Sequence, residues 1–333
     1  MKVLYVYQPA APYLLSLEQR LITRISKETR HKVELWNWAK EYGISSNPMP
    51  DWAEQNRAQL ADFHKELKKR AAEVDCVLIA QTGAIPPDIM SELPARVVYN
   101  TADDPDSSTT SSFPYLKSAD IIAHAGVNFN ATTRMGDEFK KRGAKRTILF
   151  PIGFYEEQFP TINDLEEQNA RRDIDLVYIG HLKRGRLDEI LRRYPQMVVH
   201  GRSLKLKHKL WLLVHGKRWV GPYNGNLAEL YARTKVGINI HFSYGPSNTR
   251  CYQLNACGVA QVLDCPEGSS EFYQHGKEVM IYSNMKEAAQ QIDELLKNDE
   301  LRNRIALNGY HAARARFTRF RTFSRLLDEV EQD

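Results

Sequence analysis

Short apolar runs alternate with amphipathic helical stretches along the whole chain. After the first apolar run, Leu14, Leu17, Leu21 and Ile25 fall on one face at helical spacing. Residues 51–73 are a longer polar stretch with a thin apolar stripe. This alternation is typical of parallel sheets whose strands are joined by crossover helices. The predicted strands of the first half are 2–7, 32–36, 74–80, 96–100, 119–124 and 146–150.

The pattern stops once and then starts again. Pro151, Gly153 and Pro160 precede a charged run, which indicates a connection between two domains. We therefore predict an α/β protein of two doubly wound, Rossmann-like domains, with a ligand in the cleft that the carboxyl ends of their strands line. The predicted strands of the second half are 174–179, 197–200, 236–241, 259–264 and 279–282, and its predicted helices are 284–298, 299–312 and 317–331. The predicted parts are domains 1–155 and 174–315, a linker at 156–173 and a C-terminal helix at 316–333.

Composition narrows the class of protein. A length of 333 residues favours two domains, and a net charge of +5 is compatible with an anionic ligand. The four cysteines form no CxxC pair or zinc pattern, so we expect buried free thiols and no metal site. The run from Met1 to Pro9 is shorter than a signal peptide, and no stretch is long and apolar enough for a membrane span. We expect a cytoplasmic protein.

The first chemically informative stretch follows the strand 174–179. This strand ends in Gly180, and a basic loop then leads into a helix. A glycine lets the backbone approach a phosphate, and a helix start offers free amide groups. The residues that would contact a diphosphate here are His181, Lys183, Arg184 and Arg186. The alternative is a basic loop that is only solvated.

Two further stretches of the sequence each allow two interpretations, one functional and one purely structural. Gly201 and Arg202 end the strand 197–200 and open a run of lysines, leucines and a tryptophan. Residues 202–219 are either a peripheral contact with the inner membrane face or a helix with one buried face. The next loop holds Tyr223 and Asn224, which either cap a nucleobase or form a plain connecting turn.

The fourth stretch has the most polar chemistry. A predicted buried strand ends near His241, and a polar loop leads into a short helix and another apolar strand. Polar groups at the carboxyl end of a strand and before a helix start are suited to a sugar phosphate. The candidate donor contacts in this stretch are His241, Ser243, Tyr244, Asn248, Thr249, Arg250 and Gln253.

This stretch carries a resemblance to a known family. Together with the positions after it, the stretch resembles the C-terminal domain of group 1 glycosyltransferases and is similar to the CgeB-like spore-maturation branch. The resemblance covers about residues 96–325. It is carried by Arg250 to Gly258, Glu267-Gly268, Phe272, Gly276 to Val279, Tyr282, Asp103-Asp104-Pro105, Phe150 to Gly153 and Phe159-Pro160.

The resemblance implies a GT-B fold, a nucleotide-sugar donor in the C-terminal domain and no bound metal or other cofactor. It also implies that the last helix crosses back to an N-terminal, acceptor-binding domain. In group 1 enzymes an Arg and a Lys hold the diphosphate, and His181 and Arg186 stand at those positions here. The family's two Glu correspond to Gly245 and Gln253, and Gln253 can still bond a ribose hydroxyl.

The acid–base candidates lie in the first half. Asp103 and Asp104 follow the strand 96–100, and His124 ends the next strand. A carboxylate or an imidazole there could accept the proton of an acceptor hydroxyl. The alternative is that Asp103 to Ser108 is a capping turn, since Asp-Pro and Ser clusters favour turns.

The resulting hypothesis is a hexosyltransferase that moves a sugar from a nucleotide-sugar donor to an acceptor hydroxyl. The acceptor would be a cell-surface polysaccharide, a lipid-linked sugar or a small metabolite. A nucleotide-sugar epimerase and a non-catalytic binding module stay open as alternatives. We expect no nucleic-acid partner, because the net charge is modest and no nucleic-acid motif is present.

Overall fold

A computed structural model describes residues 1–8, 12–43, 56–102, 105, 107–180, 186–201, 210, 213–214, 225–241, 244–245 and 248–332. The chain divides into two compact units. Unit 1 contains Met1–Tyr155, Ser243–Ser247 and Arg319–Asp333, and unit 2 contains Glu156–Phe242 and Asn248–Thr318. Among the described residues, none of the helices combines the length and the apolar character that crossing a bilayer requires.

In its described part, unit 1 is built on a six-stranded parallel sheet with the order β2-β1-β3-β4-β5-β6. The chain starts at β1, adds β2 on one side and then adds β3 to β6 on the other. All six predicted strands of the first half are confirmed. They are β1 (Lys2–Val6), β2 (Lys32–Trp36), β3 (Cys76–Ala80), β4 (Arg96–Thr101), β5 (Ile121–His124) and β6 (Arg146–Leu149).

Both faces of the central strands of this sheet are buried, as their continuous apolar runs predict. Along β1, Val3 and Tyr5 face one core cluster while Leu4 and Val6 face the other. The helices Pro12–Glu28 and Arg319–Glu331 pack on the Val3 side, and Arg57–Ala71 and Met135–Lys141 pack on the Leu4 side. Shorter helical turns of unit 1 are Trp38–Glu41, Pro87–Ser91, Ser108–Ser111 and Phe113–Tyr115.

The described part of unit 2 holds a second parallel sheet with the order β11-β10-β9-β7-β8. Its strands confirm the five predicted for the second half, and the order reverses between β7 and β9. They are β7 (Ile174–Ile179), β8 (Val198–His200), β9 (Thr234–Asn239), β10 (Ala260–Leu263) and β11 (Met280–Ile281). Its helices are Leu165–Ala170, Arg186–Arg193, Leu227–Ala232, Arg250–Ala256, Pro266–Ser269, Met285–Lys297 and Asp299–Arg316.

The stretch predicted as a linker contributes to the core of unit 2 through Arg172. This guanidinium is buried and donates to the carbonyl oxygens of Tyr231 at 2.7 Å, Cys257 at 2.9 Å and Gly258 at 2.7 Å. It also donates to the carbonyl oxygen of Thr234. Arg172 therefore helps to satisfy the backbone carbonyl groups where β9 begins and where the helix before β10 ends.

Candidate functional site

Three neighbouring strands of unit 2 end in polar or glycine residues. β7 is followed by Gly180, β9 by Ile240 and His241, and β10 by Asp264. We call the carboxyl ends of these strands the unit 2 edge. It lies at the point where the strand order reverses, and open parallel sheets bind their ligands at such points.

Arg250 bridges two of these strand ends from the first turn of helix Arg250–Ala256. Its Nη1 donates to the carbonyl oxygen of Ile179, and its Nη2 donates to that of Ile240 at 3.2 Å. The guanidinium lies 5.5 Å from the ring centre of Tyr178, which adds a cation–π contact. Among the described residues, its buried Nε has no hydrogen-bond partner. Arg250 therefore brings a positive charge to the unit 2 edge while it fixes the spacing of β7 and β9.

Gly180 is required by the position of Arg250. A Cβ built on Gly180 would overlap the Arg250 Nη1 atom and would lie 3.0 Å from the Tyr178 hydroxyl. The absence of a side chain at position 180 therefore leaves the space that the guanidinium fills. Glycine is needed here for that space and not for a left-handed backbone conformation.

We expect Gly180→Ala to weaken nucleotide binding about tenfold or more while the protein stays folded, because displacing the Arg250 guanidinium removes a charge-assisted donor. Calorimetric titration with a nucleotide diphosphate measures the change. In an Arg250→Ala background, Gly180→Ala should have no further effect, since the cycle isolates the coupling of the two residues. Additive losses in the double variant would show that Gly180 acts by another route.

Asp264 organises the other side of the unit 2 edge. Its Oδ1 lies 2.5 Å from His241 Nδ1, and its Oδ2 accepts the His241 backbone N–H at 2.8 Å. The same Oδ2 accepts from Arg186 Nη1 at 3.3 Å. Asp264 and His241 are buried, whereas the Arg186 side chain is 52% exposed. A buried carboxylate therefore orients a solvent-accessible guanidinium at the first residue of helix Arg186–Arg193.

The local charge at this edge is positive. Burial acts to lower the pKa of His241, but the Cys251 sulfur and the Asp264 carboxylate oppose it and raise the pKa well above its usual value. Arg186 and Arg250 bring two positive charges to the described part of the edge, where Asp264 supplies the single carboxylate. This balance favours an anionic ligand.

An amide pair fixes the start of helix Arg250–Ala256. Asn239 Nδ2 donates to Asn248 Oδ1 at 3.2 Å, and Asn248 Nδ2 donates to Asn239 Oδ1 at 3.1 Å. Asn248 Oδ1 also accepts the backbone N–H of Cys251 at 3.3 Å. Asn239 is completely buried. The pair joins the end of β9 to the first turn of the helix and so sets where Arg250 stands.

The structure brings together part of the predicted donor site. Arg186, His241, Asn248 and Arg250 meet around the ends of β7, β9 and β10, next to Gly180. Their role in binding a donor stays a prediction.

The remaining described candidates stand apart from this cluster of contacts. Gly201 is buried at the end of β8, Thr249 is exposed and Gln253 is half-buried on helix Arg250–Ala256. Tyr244 belongs to unit 1, and the residue is 53% exposed. The candidates that lie outside the described residues are Asp103, Asp104, His181, Lys183, Arg184, Arg202, Tyr223, Asn224 and Ser243.

Sequence reasoning missed Asp264 and Asn239. Each stands at the carboxyl end of a buried strand, since β9 ends at Asn239 and β10 is followed by Asp264. A polar residue that ends an apolar run is the same signal that identified His241. Applying it to every predicted strand would have found both residues.

The acid–base candidate that the structure describes is His124, the last residue of β5. Its register partner in β4 is Thr101, which shortly precedes Asp103 and Asp104 in the sequence. The His124 ring is buried, and its Nδ1–H donates to the carbonyl oxygen of Gly126 at 2.8 Å. Burial lowers the pKa of His124 to about 4. An imidazole of that pKa accepts protons weakly at neutral pH. A structural role for the buried His124 ring is therefore an alternative to the predicted role as catalytic base.

The lowered pKa of His124 predicts acid sensitivity. The unfolded chain binds this proton below a pKa of about 6.5, but the folded chain binds it only near pH 4. Stability should therefore fall as the pH drops from about 6.5 to 4, by about 3 kcal/mol in total from this one group. Denaturant unfolding at several pH values, with His124→Asn beside the wild type, isolates the effect. Equal pH slopes for the two proteins would contradict it.

Two groups in the described residues have the side chains to bind a metal ion. In unit 2 they are His241, Asp264 and Cys265, and in unit 1 they are His31, Asp328 and Glu331. The unit 1 carboxylates already pair with Arg30 and the chain's N-terminal amine. That group is therefore explained by ion pairing near the surface.

Part of the chain is similar in sequence to a known protein family. Residues 184–328 match the family described as Glycosyl transferase-like, and this segment contains Arg186, His241, Arg250 and Asp264. No curated protein matches the chain in sequence.

Among solved structures, Anabaena HepE in complex with UDP and glucose is similar, with a TM-score of 0.64, 16% identity and coverage of 100% of both chains. Sucrose-phosphate synthase from Thermosynechococcus elongatus has a TM-score of 0.68 and 12% identity, over 100% of this chain and 98% of that one. WaaG, a glycosyltransferase involved in lipopolysaccharide biosynthesis, has a TM-score of 0.58 and 12% identity, over 98% of this chain and 99% of that one.

These likenesses show the fold. Two parallel α/β sheets in the order found here, together with these neighbours, define the GT-B fold, and the predicted fold class is confirmed.

Proposed function

We propose that this protein is a glycosyltransferase that moves a sugar from a nucleotide-sugar donor to an acceptor hydroxyl. The observation that carries the proposal is the unit 2 edge. Arg186 and Arg250 stand there beside the ends of three parallel strands, within the segment that matches the glycosyl transferase-like family. Donor binding by these residues is part of the proposal.

The chemistry of the edge suits the leaving group of such a reaction. When the acceptor oxygen bonds to the anomeric carbon, the bond from that carbon to the diphosphate breaks and the phosphate oxygen gains negative charge. Cations that are already in place stabilise this charge without reorganising. Arg186 is half-exposed and held by Asp264, and Arg250 is held by two carbonyl oxygens, so both charges are fixed before the substrate arrives.

The finer points of the reaction are also proposals. UDP is the first nucleotide to test, because Anabaena HepE, of the same fold, is described in complexes with UDP, UDP-glucose, and UDP and glucose. We propose a hexosyl donor, a CgeB-like relationship and an acceptor that is a surface polysaccharide, a lipid-linked sugar or a metabolite.

Fixed arginines can neutralise the diphosphate, so the proposed transfer uses no bound metal or cofactor. The proton of the acceptor goes to Asp103, Asp104 or His124.

Contact with a membrane through residues 202–219 is a second part of the proposal, together with a cytoplasmic location. Leu210, Leu213 and Val214 are 55%, 60% and 83% exposed. The surrounding sequence adds Lys205, Lys207 and Lys209, and others. Exposed apolar side chains beside lysines fit the interface of an anionic bilayer. Co-sedimentation with phosphatidylglycerol vesicles, compared with neutral vesicles, tests this part.

The direct test of the activity is release of UDP from UDP-glucose and other UDP-hexoses in the presence of an acceptor panel. A transferase releases UDP only as an acceptor is glycosylated, whereas an epimerase changes the sugar and releases none. Binding without turnover under all conditions would favour the non-catalytic module. Asp103→Asn, Asp104→Asn and His124→Asn should separate the base from the donor site, because only loss of the base lowers kcat while donor binding stays intact.

A further inference from the structure

His241 and Asp264 of the unit 2 edge form a cluster with Cys265, a residue to which the proposed transfer gives no role. His241, Asp264 and Cys265 each offer one ligand atom, and these atoms lie within 4.8 Å of one another. His241 and Asp264 are buried, and Cys265 is half-buried. The set combines one nitrogen, one oxygen and one sulfur ligand, whereas hard cations such as Mg²⁺ prefer oxygen alone.

We propose that His241, Asp264 and Cys265 form a binding site for a thiophilic divalent cation of the Zn²⁺ class. Zinc takes nitrogen and oxygen ligands at about 2.0–2.2 Å and sulfur at about 2.3 Å in tetrahedral geometry. Ligand atoms on one zinc ion are therefore separated by about 3.3–3.7 Å. The ion displaces the proton shared by His241 Nδ1 and Asp264 Oδ1 and the thiol proton of Cys265, both of which go to solvent. The 2.5 Å between Nδ1 and Oδ1 must then open by less than about 1 Å to reach that separation. Three protein ligands leave the fourth position open to water or to a phosphate oxygen.

The His241 and Asp264 side chains each have hydrogen-bond partners on the side away from the proposed ion. Histidine ligands usually give their second ring nitrogen to a hydrogen-bond partner, which fixes the tautomer. Here the second nitrogen, Nε2, lies 3.2 Å from Cys251 Sγ. The Asp264 Oδ2 atom is held by the His241 backbone N–H and by Arg186, which leaves Oδ1 directed at the ring.

The backbone at Cys265 is a separate observation. Cys265 has φ 57°, and among the described residues it is the non-glycine residue with a positive φ. A side chain is unfavourable in this left-handed conformation, so the rest of the fold must hold it there. This conformation presents the Cys265 thiol beside the imidazole of His241.

Occupation of the site would act on the unit 2 edge. A cation bound to Asp264 Oδ1 withdraws negative charge from the carboxylate and so weakens the bond that its Oδ2 accepts from Arg186 Nη1. Zn²⁺ is therefore expected to weaken UDP binding by the wild type but not by Cys265→Ser, which lacks the thiol ligand. This consequence rests on the proposed function. Equal weakening in both proteins would overturn this consequence, whereas the binding site itself is tested without any nucleotide.

The test of the site is titration of the thiol-reduced protein with Co²⁺ as a spectroscopic substitute for Zn²⁺. We expect the charge-transfer absorption of a cobalt–thiolate bond at one equivalent, lost in Cys265→Ser and His241→Asn and displaced by Zn²⁺. The matched control is Cys76→Ser, which removes a buried thiol from β3 of unit 1 and should leave the spectrum unchanged. Cys251→Ser should keep the bands but weaken affinity about tenfold or more, as loss of an outer partner does.

Two results would overturn the proposal: no thiolate band in the wild type, or the same band in Cys265→Ser. Circular dichroism of each variant confirms that it is folded. If Cys265→Ser does not fold, calorimetric titration of the wild type with Zn²⁺, before and after alkylation of the half-buried Cys265 thiol, gives the second measurement. Unchanged binding after Cys265 is alkylated would contradict the site.

Discussion

Replacing Arg250 with alanine is expected to lower kcat/KM for the nucleotide-sugar donor by about 100-fold or more. Hydrogen bonds from a charged donor contribute about 1.5–3 kcal/mol, which corresponds to about 10- to 100-fold in affinity. Arg250 also fixes the ends of β7 and β9 through the carbonyl oxygens of Ile179 and Ile240. Its loss therefore removes both a charge and the spacing of the strand ends. Steady-state kinetics with varied donor concentration measures the effect.

Two further variants make this prediction specific. Arg250→Lys keeps the charge but cannot bridge two carbonyl oxygens with a planar fork, so its activity should fall between those of the wild type and alanine. Arg304→Ala removes an exposed arginine from helix Asp299–Arg316 and should leave kcat/KM unchanged. Normal kinetics of Arg250→Ala would contradict a role in the donor site. Loss of the cooperative thermal unfolding transition in this variant would show that the role of Arg250 is structural.

Replacing Arg319 with methionine is expected to destabilise unit 1 by about 3–5 kcal/mol, because breaking a buried ion pair leaves an uncompensated charge. Arg319 Nη2 lies 3.3 Å from Glu18 Oε1, and the two side chains are 10% and 1% exposed. The Tyr155 hydroxyl donates to the same carboxylate oxygen at 2.7 Å. Arg319 also donates from Nη1 to the carbonyl oxygen of Ile152 at 3.2 Å. Equilibrium unfolding in urea measures the change.

A second substitution separates the charge from the packing. Combining Arg319→Met with Glu18→Gln should recover part of the lost stability, since the remaining carboxylate is neutralised while the Tyr155 bond can persist. Arg325→Met on the same helix is the control. It removes a surface pair with Glu329 at 3.9 Å and should change stability by less than about 1 kcal/mol. A double variant no more stable than Arg319→Met alone would contradict the charge argument.

The sheets were predictable from the sequence because parallel strands are buried on both faces. Such strands appear as continuous apolar runs, as in Cys76–Ala80 and Ile121–His124, and every predicted strand is present. The strand order was not predictable. Apolar runs carry no information on which strand lies next to which, and only the structure shows that β9 adds beside β7 on the side away from β8.

The candidate site was predictable in outline only. A cation or an amide just after a strand is visible in sequence, which is how Arg186, His241 and Asn248 were selected. The hydrogen bonds that make these residues a unit depend on partners distant in the chain, such as Asp264 with Arg186. The sequence also did not indicate where unit 2 begins. The charged run before β7 gives no sign that Arg172 is buried and donates to four backbone carbonyl oxygens.

The measurement that tests the central claim most directly is calorimetric titration of the wild type, Arg250→Ala and Arg304→Ala with UDP, GDP, dTDP and CMP. The central claim is that the unit 2 edge binds the diphosphate of a nucleotide sugar. It predicts saturable one-site binding of one nucleotide diphosphate, weakened at least about tenfold in Arg250→Ala and unchanged in Arg304→Ala. Failure of every nucleotide to bind the folded wild type, or equal binding by all three proteins, would contradict it.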